Sequence, residues 1–331
     1  MSEDVQARVA HFKVATQRLK SEIAKVIVGQ DAVVEGVIIA LIAGGHALLE
    51  GVPGLGKTSL VRTLSEALEL AFSRIQFTPD LMPSDITGTK VAMSDDRGNT
   101  VLDFERGPIF ANVVLADEIN RATPRTQSAM LEAMQEGSVT VGRTTHILEA
   151  PFFVLATQNP LEMDGTYPLP EAQVDRFLFK LHVDQPSRED MHTILERTTG
   201  WQAPKIDAVL SKEELLELRH LAMDVPIARH VQDYAVRLVE ATHPKSAAAA
   251  SFEASRYIRY GASPRGAQSL VISAKVCALL DGRFAVSVDD LKRVAKATLR
   301  HRVIRNFEGE AEGVATDDIL DELLATLPER S

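Results

Sequence analysis

Eight consecutive residues in this chain have the types and spacing needed to hold a phosphate group. Residues 51–58 read GVPGLGKT, which fits the pattern G-x-x-x-x-G-K-[ST]. Its glycines let backbone N–H groups approach an anion closely, and a helix N-terminus after them favours negative charge. We predict that Lys57 reaches the β- and γ-phosphates of a nucleotide and that the Thr58 hydroxyl holds Mg²⁺. The alternative is a glycine-rich turn that opens an ordinary helix.

The residues on either side of this segment supply the strand and the helix that the pattern requires. Residues 46–50 read HALLE, which is typical of a short buried strand, and residues 59–70 have the spacing of an amphipathic helix. This context favours a nucleotide site over a simple turn. The predicted contacts in this segment are Gly51, Pro53, Gly54, Leu55, Gly56, Lys57, Thr58 and Ser59.

Two adjacent carboxylates end a second apolar run, and they suit the metal and the water of a hydrolysis reaction. Residues 112–118 read NVVLADE, so Asp117 and Glu118 follow a strand that is apolar on both faces. Burying such a pair is costly unless a cation lies beside it. We predict that Asp117 organises Mg²⁺ and that Glu118 orients the attacking water. The alternative is an acidic pair that caps a helix beginning at Ile119.

Two more polar side chains lie at strand boundaries. Asn159 follows the strand-like residues 153–157, where it would bind the γ-phosphate or the water. A turn before a proline is the other interpretation of Asn159. Arg176 opens the last predicted strand and would act as an arginine finger on a neighbouring subunit's nucleotide. A local ion pair with Asp175 is compatible with that role.

Two weaker signals complete the predicted nucleotide site. Ser263 is a typical N-cap, which places Arg265 in the first turn of a helix, where a cation opposes the helix dipole. A nucleotide phosphate would compensate this charge, and a salt bridge to a nearby acid is the alternative. Val28 and Gly29 interrupt two helical segments, and their backbone is predicted to lie against the adenine.

Composition limits the classes of protein to which this chain can belong. Its 331 residues are 45% hydrophobic and 25% charged, which fits a globular protein large enough for two domains. The net charge of −10 argues against general nucleic-acid binding. The one cysteine, Cys277, cannot form an intrachain disulfide and fits a reducing compartment. With no signal-peptide pattern and no uninterrupted apolar span, we expect a cytoplasmic protein without membrane insertion.

The order of the apolar runs predicts an α/β domain followed by a helical one. Five strand-like runs alternate with helical segments, which favours a parallel sheet covered on both faces. These runs are residues 46–50, 73–77, 112–116, 152–157 and 178–183. Two hairpins interrupt them, at about 91–110 and about 138–148. We predict a nucleotide-binding domain over residues 1–186 and a helical domain over residues 187–331.

Taken together, these segments resemble the MoxR family of AAA+ ATPases, and the resemblance extends over nearly the whole chain. The matching segments are VGQ at 28–30, LLEGVPGLGKT at 48–58, FTPDLMPSDITG at 77–88, GPIFANVVLADEINRATPRTQSAMLEAMQE at 107–136, PFFVLATQNP at 151–160, GTYPLPEAQVDRF at 165–177 and GASPRG at 261–266. The resemblance implies an αβα P-loop domain with a five-stranded parallel sheet, followed by an all-α lid. It also implies that the first hairpin is inserted in the second helix and that the second hairpin precedes sensor 1.

The resemblance also gives roles to the candidate residues and implies an activity. The roles are Walker A for Lys57 and Thr58, Walker B for Asp117 and Glu118, sensor 1 for Asn159, the arginine finger for Arg176 and sensor 2 for Arg265. The family implies Mg²⁺-dependent ATP hydrolysis by ring-shaped hexamers with sites between subunits. It further implies chaperone-like remodelling or maturation of partner proteins, often with a von Willebrand factor A-domain protein. Whether Arg265 acts within its own subunit stays open.

Other functions fit parts of the same pattern. A metal-chelatase-like motor subunit shares the insertions of this clade. A nucleotide-dependent assembly scaffold would bind without hydrolysing, and the intact set of Glu118, Asn159 and Arg176 argues against it. A DNA motor is disfavoured by the net charge of −10, and a GTPase by the absence of an NKxD segment. The sequence identifies neither the client nor the ring size.

Overall fold

A computed structural model describes residues 3–94, 100–160, 165–200 and 204–329 of the chain. The helices before residue 187 are α1 (Glu3–Ile23), α2 (Asp31–Ile42), α3 (Lys57–Ala67), α4 (Pro83–Thr87), α5 (Pro124–Glu136) and α6 (Glu171–Val174). The strands of this part are β1 (Ala47–Glu50), β2 (Phe72–Gln76), β3 (Gly88–Ser94), β4 (Thr100–Arg106), β5 (Val113–Asp117), β6 (Ser138–Val141), β7 (Thr144–Ile147), β8 (Phe153–Gln158) and β9 (Phe179–His182).

Five of these strands form one parallel sheet in the order β2-β5-β8-β1-β9, which confirms the predicted sheet. Each of them begins and ends within one residue of its predicted position. The neighbours Leu48 and Leu49 belong to hydrophobic clusters on opposite faces of the sheet, so both faces are covered. Because the strands are parallel, the loops after β1, β5 and β8 leave the sheet at the same edge.

The other four strands of this part form two antiparallel hairpins, β3-β4 and β6-β7. A β-carbon at Gly88 would lie 2.2 Å from the backbone oxygen of Glu105, so the base of the first hairpin requires glycine. Phe104 in β4 stacks on His146 in β7 with ring centroids 4.0 Å apart, which puts the two hairpins in contact. The predicted turn at residues 95–99 lies outside the described residues.

Beyond residue 187 the chain is mostly helical. The elements are α7 (Arg188–Thr198), α8 (Lys212–Asp224), α9 (Arg229–Ala241), β10 (Ile258–Tyr260), α10 (Pro264–Leu280), α11 (Val288–Leu299), β11 (Ile304–Arg305), α12 (Phe307–Ala311) and α13 (Thr316–Thr326). Ser187, Ser211 and Ser287 start three of the helices, each paired with an acidic residue in a capping box. The short antiparallel pair β10-β11 was not predicted, because two or three residues are too few to show a strand period.

Arg302 joins the helical part to the sheet part. Its guanidinium donates to the Asp175 carboxylate at 2.7 Å and to the backbone oxygens of Phe177 and Leu178 at 2.7 Å and 3.2 Å. The Arg302 side chain is only 2% exposed. Burial lowers the pKa of Arg302, whereas the hydrogen bond and charge of Asp175 raise it. This pair therefore holds the residues that precede β9 against the end of α11.

Replacing Arg302 with alanine should destabilise the protein strongly. The substitution leaves the Asp175 carboxylate and several carbonyls without their partner, and breaking a buried ion pair costs about 3–5 kcal/mol. Arg62→Ala is the matched control, because Arg62 is 71% exposed and pairs with Glu66 at 3.3 Å on the surface of α3. That control should cost less than about 1 kcal/mol. Urea denaturation measures both, and equal losses would contradict the assignment.

Candidate functional site

A cavity of about 380 Å³ lies at the edge of the sheet where the loops after β1, β5 and β8 meet. Residues from four separate segments line it. They are Pro53, Gly54, Gly56, Lys57, Thr58, Ser59, Arg74, Gln76, Asp117, Glu118, Thr157 and Asn159. The predicted phosphate loop, carboxylate pair and polar strand end therefore share one cavity, whose volume suits a small-molecule ligand.

The loop before α3 has the shape of a phosphate cradle. Gly54 and Gly56 have φ angles of +87° and +76°, and a β-carbon at either would meet no atom within 4 Å. The left-handed backbone conformation therefore explains why positions 54 and 56 are glycine. The space beside both residues is open. Gly51 differs, because a β-carbon there would lie 2.6 Å from the Val183 carbonyl oxygen. The loop ends with Gly56 as the N-cap of α3, whose first N–H groups have no acceptor within the helix.

Lys57 lies between the loop and the carboxylates. Its Nζ donates to the carbonyl oxygen of Gly51 at 2.5 Å. Burial lowers the pKa of Lys57, and the charges of Asp117, Glu118 and Glu50 oppose that shift. A phosphate in the cavity would add negative charge beside the ammonium and favour its protonated form. Lys57 thus has the position and surroundings of a phosphate ligand.

The turn that carries the carboxylates is strained and is held by Thr157. Glu118 has a φ of +55°, a left-handed conformation that is uncommon for glutamate. Its backbone N–H donates to Thr157 Oγ1 at 2.8 Å, and that hydroxyl donates to Asp117 Oδ1 at 2.7 Å. The Thr157 side chain is buried in β8, next to β5. The Thr157 hydroxyl therefore fixes the position of both the Glu118 backbone N–H and the Asp117 carboxylate.

Strand β2 adds two residues that sequence reasoning missed. Arg74 donates to Asp117 Oδ2 from Nε at 3.1 Å and from Nη2 at 2.6 Å. Gln76 donates to Glu118 Oε2 at 3.0 Å. Both point into the cavity because β2 is paired with β5, with Gln76 opposite Asp117. Their alternate spacing was visible in the sequence, but the neighbour of their strand was not.

Several predicted residues do not line this cavity. Gly51 and Leu55 line a second cavity of about 340 Å³ on the other side of the loop, together with Asp184. The segment with Val28 and Gly29 lies nearby, since Gln30 Nε2 donates to the Asp184 carbonyl at 2.8 Å. The residues of the phosphate loop thus line two cavities, while Val28 and Gly29 line neither of them.

Arg176 and Arg265 are also outside the first cavity. The suggested ion pair between Asp175 and Arg176 is not formed, because Asp175 accepts from Arg302 at 2.7 Å and from the Ser263 hydroxyl at 2.9 Å. Ser263 is the N-cap of α10, as predicted. Within the described part of the chain, neither Arg176 nor Arg265 forms an ion pair. Among the described residues, therefore, no acid forms an ion pair that would compensate Arg265 in the first turn of α10.

The oxygen ligands at the first cavity suit Mg²⁺ bound together with a nucleotide. Among residues 3–94, 100–160, 165–200 and 204–329, no group of three His, Cys, Asp or Glu side chains could hold a metal alone. Mg²⁺ prefers oxygen ligands and binds through one or two carboxylates, waters and substrate phosphates. Thr58 and Asp117 both line the cavity and supply such oxygens.

Comparisons with known proteins agree with this geometry. The model of the ATPase family associated with various cellular activities (AAA) matches residues 46–179, and the AAA lid domain model matches residues 251–323. Chaperone MoxR1 of Mycobacterium tuberculosis is 42% identical over 311 residues, which cover 94% of this chain and 81% of that protein. The chain belongs to the MoxR family of AAA+ ATPases.

Two further matches support this placement. Protein MoxR of Paracoccus denitrificans is 32% identical over 324 residues, covering 92% of this chain and 93% of that protein. A solved structure from Cytophaga hutchinsonii, described as a candidate ATPase, superimposes with a TM-score of 0.89 at 41% identity and covers 98% of each chain. The predicted family, the parallel-sheet AAA domain and the lid are thus confirmed. None of the helices described here is both long and apolar enough to cross a membrane.

Replacing Thr157 with valine should destabilise the carboxylate turn. The change removes the acceptor of the Glu118 N–H and a donor to Asp117, and an unsatisfied buried group costs about 1–3 kcal/mol. Thr157→Ser is the matched control, because it keeps the hydroxyl at the same position. Chemical denaturation should show a loss for the valine variant and a clearly smaller loss for the serine variant. Equal losses would mean that the hydroxyl of Thr157 stabilises the protein no more than its methyl group does, and would contradict this assignment.

Proposed function

We propose that this protein binds ATP with Mg²⁺ at the first cavity and hydrolyses the γ-phosphate. One observation carries the proposal: a phosphate-binding loop with Lys57 and Thr58 faces Asp117 and Glu118 across a single open cavity. Hydrolysis needs a phosphate cradle, a metal ligand and a group that acts on water, and these are the three that meet here.

Each residue has a role in the reaction that follows from its position in the site. The N–H groups at the start of α3 and the Lys57 ammonium bind the β- and γ-phosphates. Thr58 and Asp117 would hold Mg²⁺, which, when bound with the nucleotide, neutralises charge on its phosphate oxygens. Glu118 orients the attacking water and accepts its proton, while Asn159 at the end of β8 orients the γ-phosphate or the water.

The adenine is assigned to the second cavity. It lies on the opposite side of the phosphate loop and is lined by Gly51 and Leu55. The segment with Val28 and Gly29 is tied to the same region through Gln30 and Asp184. A nucleotide that spans the loop would place its base here and its phosphates in the first cavity.

Arg176 and Arg265 are assigned to charge stabilisation, with Arg176 acting on a neighbouring subunit's nucleotide. Neither residue lines the first cavity of its own chain, and Asp175 is engaged by Arg302. Over the described ranges of the chain, no carboxylate forms an ion pair with Arg176 that would compete with a phosphate. An arginine that completes the site of the next subunit requires a head-to-tail contact between subunits, and a homohexameric ring is the assembly that the family resemblance implies. Arg265 is the proposed sensor 2, either in its own subunit or across the interface.

The hydrolysis cycle is proposed to drive chaperone-like remodelling or maturation of partner proteins in the cytoplasm. The support is the relative named as a chaperone, at 42% identity. A von Willebrand factor A-domain protein is the partner class that the family resemblance suggests. A metal-chelatase-like motor would use the same hydrolytic site with a different client. A non-hydrolysing scaffold is disfavoured, because Glu118 is held in a strained conformation beside the phosphate loop.

Two substitutions should separate nucleotide binding from hydrolysis. Lys57→Ala should lose most nucleotide affinity, because it removes the cation that contacts the phosphates. Glu118→Gln should bind ATP like the unmodified protein and hydrolyse it at least about a hundredfold more slowly, as expected for loss of a catalytic base. Calorimetric titration and phosphate release measure the two effects. Near-normal turnover by Glu118→Gln would contradict the role given to Glu118.

Mixing two inactive variants should restore activity if Arg176 acts between subunits. Arg176→Ala subunits keep an intact phosphate loop, and Lys57→Ala subunits keep an intact Arg176. Some mixed interfaces therefore join both intact parts, and phosphate release should exceed that of either variant alone. Native mass spectrometry verifies that mixed rings have formed. No recovery in rings shown to be mixed, or full activity in an isolated monomer, would exclude this action.

A further inference from the structure

The contacts of Arg74 point to a task within the nucleotide cavity. The side chain is 48% exposed and lines the first cavity with Lys57 and Thr58. Its guanidinium donates to Asp117 Oδ2 and, at 2.8 Å, to the Oε1 of Gln76. Asp117 and Gln76 also line that cavity, so these two hydrogen-bond partners of Arg74 belong to the site.

Arg74 occupies the oxygen that a metal ion would need. The Thr157 hydroxyl binds Asp117 Oδ1 at 2.7 Å, so this oxygen is held by buried protein. The other oxygen, Oδ2, faces Arg74 at 2.6 Å. A divalent cation and a guanidinium repel each other strongly at such distances, and therefore both cannot bind Oδ2 together. Entry of the ion at Oδ2 requires Arg74 to move away.

We propose that Arg74 is a positioning residue that serves as the counter-ion of Asp117 whenever Mg²⁺ is absent and competes with the ion for Oδ2. This inference rests on the proposed function of the cavity. Without a cation, the Asp117 carboxylate would repel the phosphates of an incoming nucleotide. Arg74 neutralises it, so that the cavity accepts nucleotide before the metal is in place. The half-exposed arginine side chain is free to swing into solvent when the ion arrives.

The proposal predicts how nucleotide affinity depends on Mg²⁺. The quantity to measure is the Kd of β,γ-imido-ATP with excess EDTA divided by its Kd with excess Mg²⁺. In Arg74→Ala the metal-free Kd should rise, because Asp117 is then uncompensated. The Kd with Mg²⁺ should stay the same or fall, because the competitor is gone. The ratio should therefore increase by about tenfold or more, the size expected for a lost charged hydrogen bond.

Three further variants make the test specific. Arg74→Gln removes the charge but keeps a polar side chain, and it should raise the ratio as Arg74→Ala does. Arg74→Lys keeps the charge and should stay within about threefold of the unmodified protein, as a weaker point-charge partner of the carboxylate. Arg62→Ala removes an arginine with the same charge from the outer surface of α3 and should leave the ratio unchanged.

A double-mutant cycle decides whether Asp117 is the partner through which Arg74 acts. In an Asp117→Asn background there is no carboxylate to neutralise, so adding Arg74→Ala should not raise the ratio. An unchanged ratio in Arg74→Ala and Arg74→Gln, while the unmodified protein binds the nucleotide, would overturn the counter-ion role alone. Failure of the unmodified protein to bind β,γ-imido-ATP with Mg²⁺ would overturn the proposed function, and this inference with it.

Discussion

The carboxylates of Asp117 and Glu118 are the charge around which the nucleotide cavity is organised. Two adjacent acids at the end of a buried strand are stable only if neighbouring groups compensate them. For Asp117 these groups are Lys57 at the start of α3, Arg74 from β2 and Thr157 from β8, and for Glu118 the ion pair is with Arg121 at 2.9 Å. The sheet order places β5 between β2 and β8, so all of these groups reach the same point. The phosphate loop and both carboxylates therefore line the same cavity.

A carboxylate is also compensated by neighbouring groups where the lid meets the sheet. Asp175 is held by Arg302 and by the N-cap serine of α10, so this carboxylate belongs to the domain contact. Its neighbour Arg176 is then left without that local acid. One buried ion pair thus has two consequences: it holds the lid against the residues before β9, and it leaves Arg176 without Asp175 as a partner.

Sequence patterns predicted the sheet, the lid helices and most of the residues that line the first cavity. The structure explains why these features could be predicted from the sequence. The loop over residues 51–58 and the pair Asp117 and Glu118 are contiguous segments whose chemistry depends on near neighbours. The positions of β1, β5 and β8 were predictable because these buried runs are short, mostly apolar and followed by polar residues. The strand pair β10-β11 and the partners of Asp175 could not be predicted from the sequence, since they depend on contacts between distant segments.

The sequence by itself determined that residues 51–58 form a glycine-rich loop between a strand and a helix and that Asp117 and Glu118 lie at the end of a strand, because local spacing sets the backbone geometry of both. Only the tertiary structure decided that Arg74, Gln76 and Thr157 meet those residues. Their positions depend on strand order and register, and the sequence of one strand does not specify which strand pairs with it or in which register. Tertiary structure also decided that Arg302, and not Arg176, neutralises Asp175, because burial favours the arginine whose donors all find acceptors there.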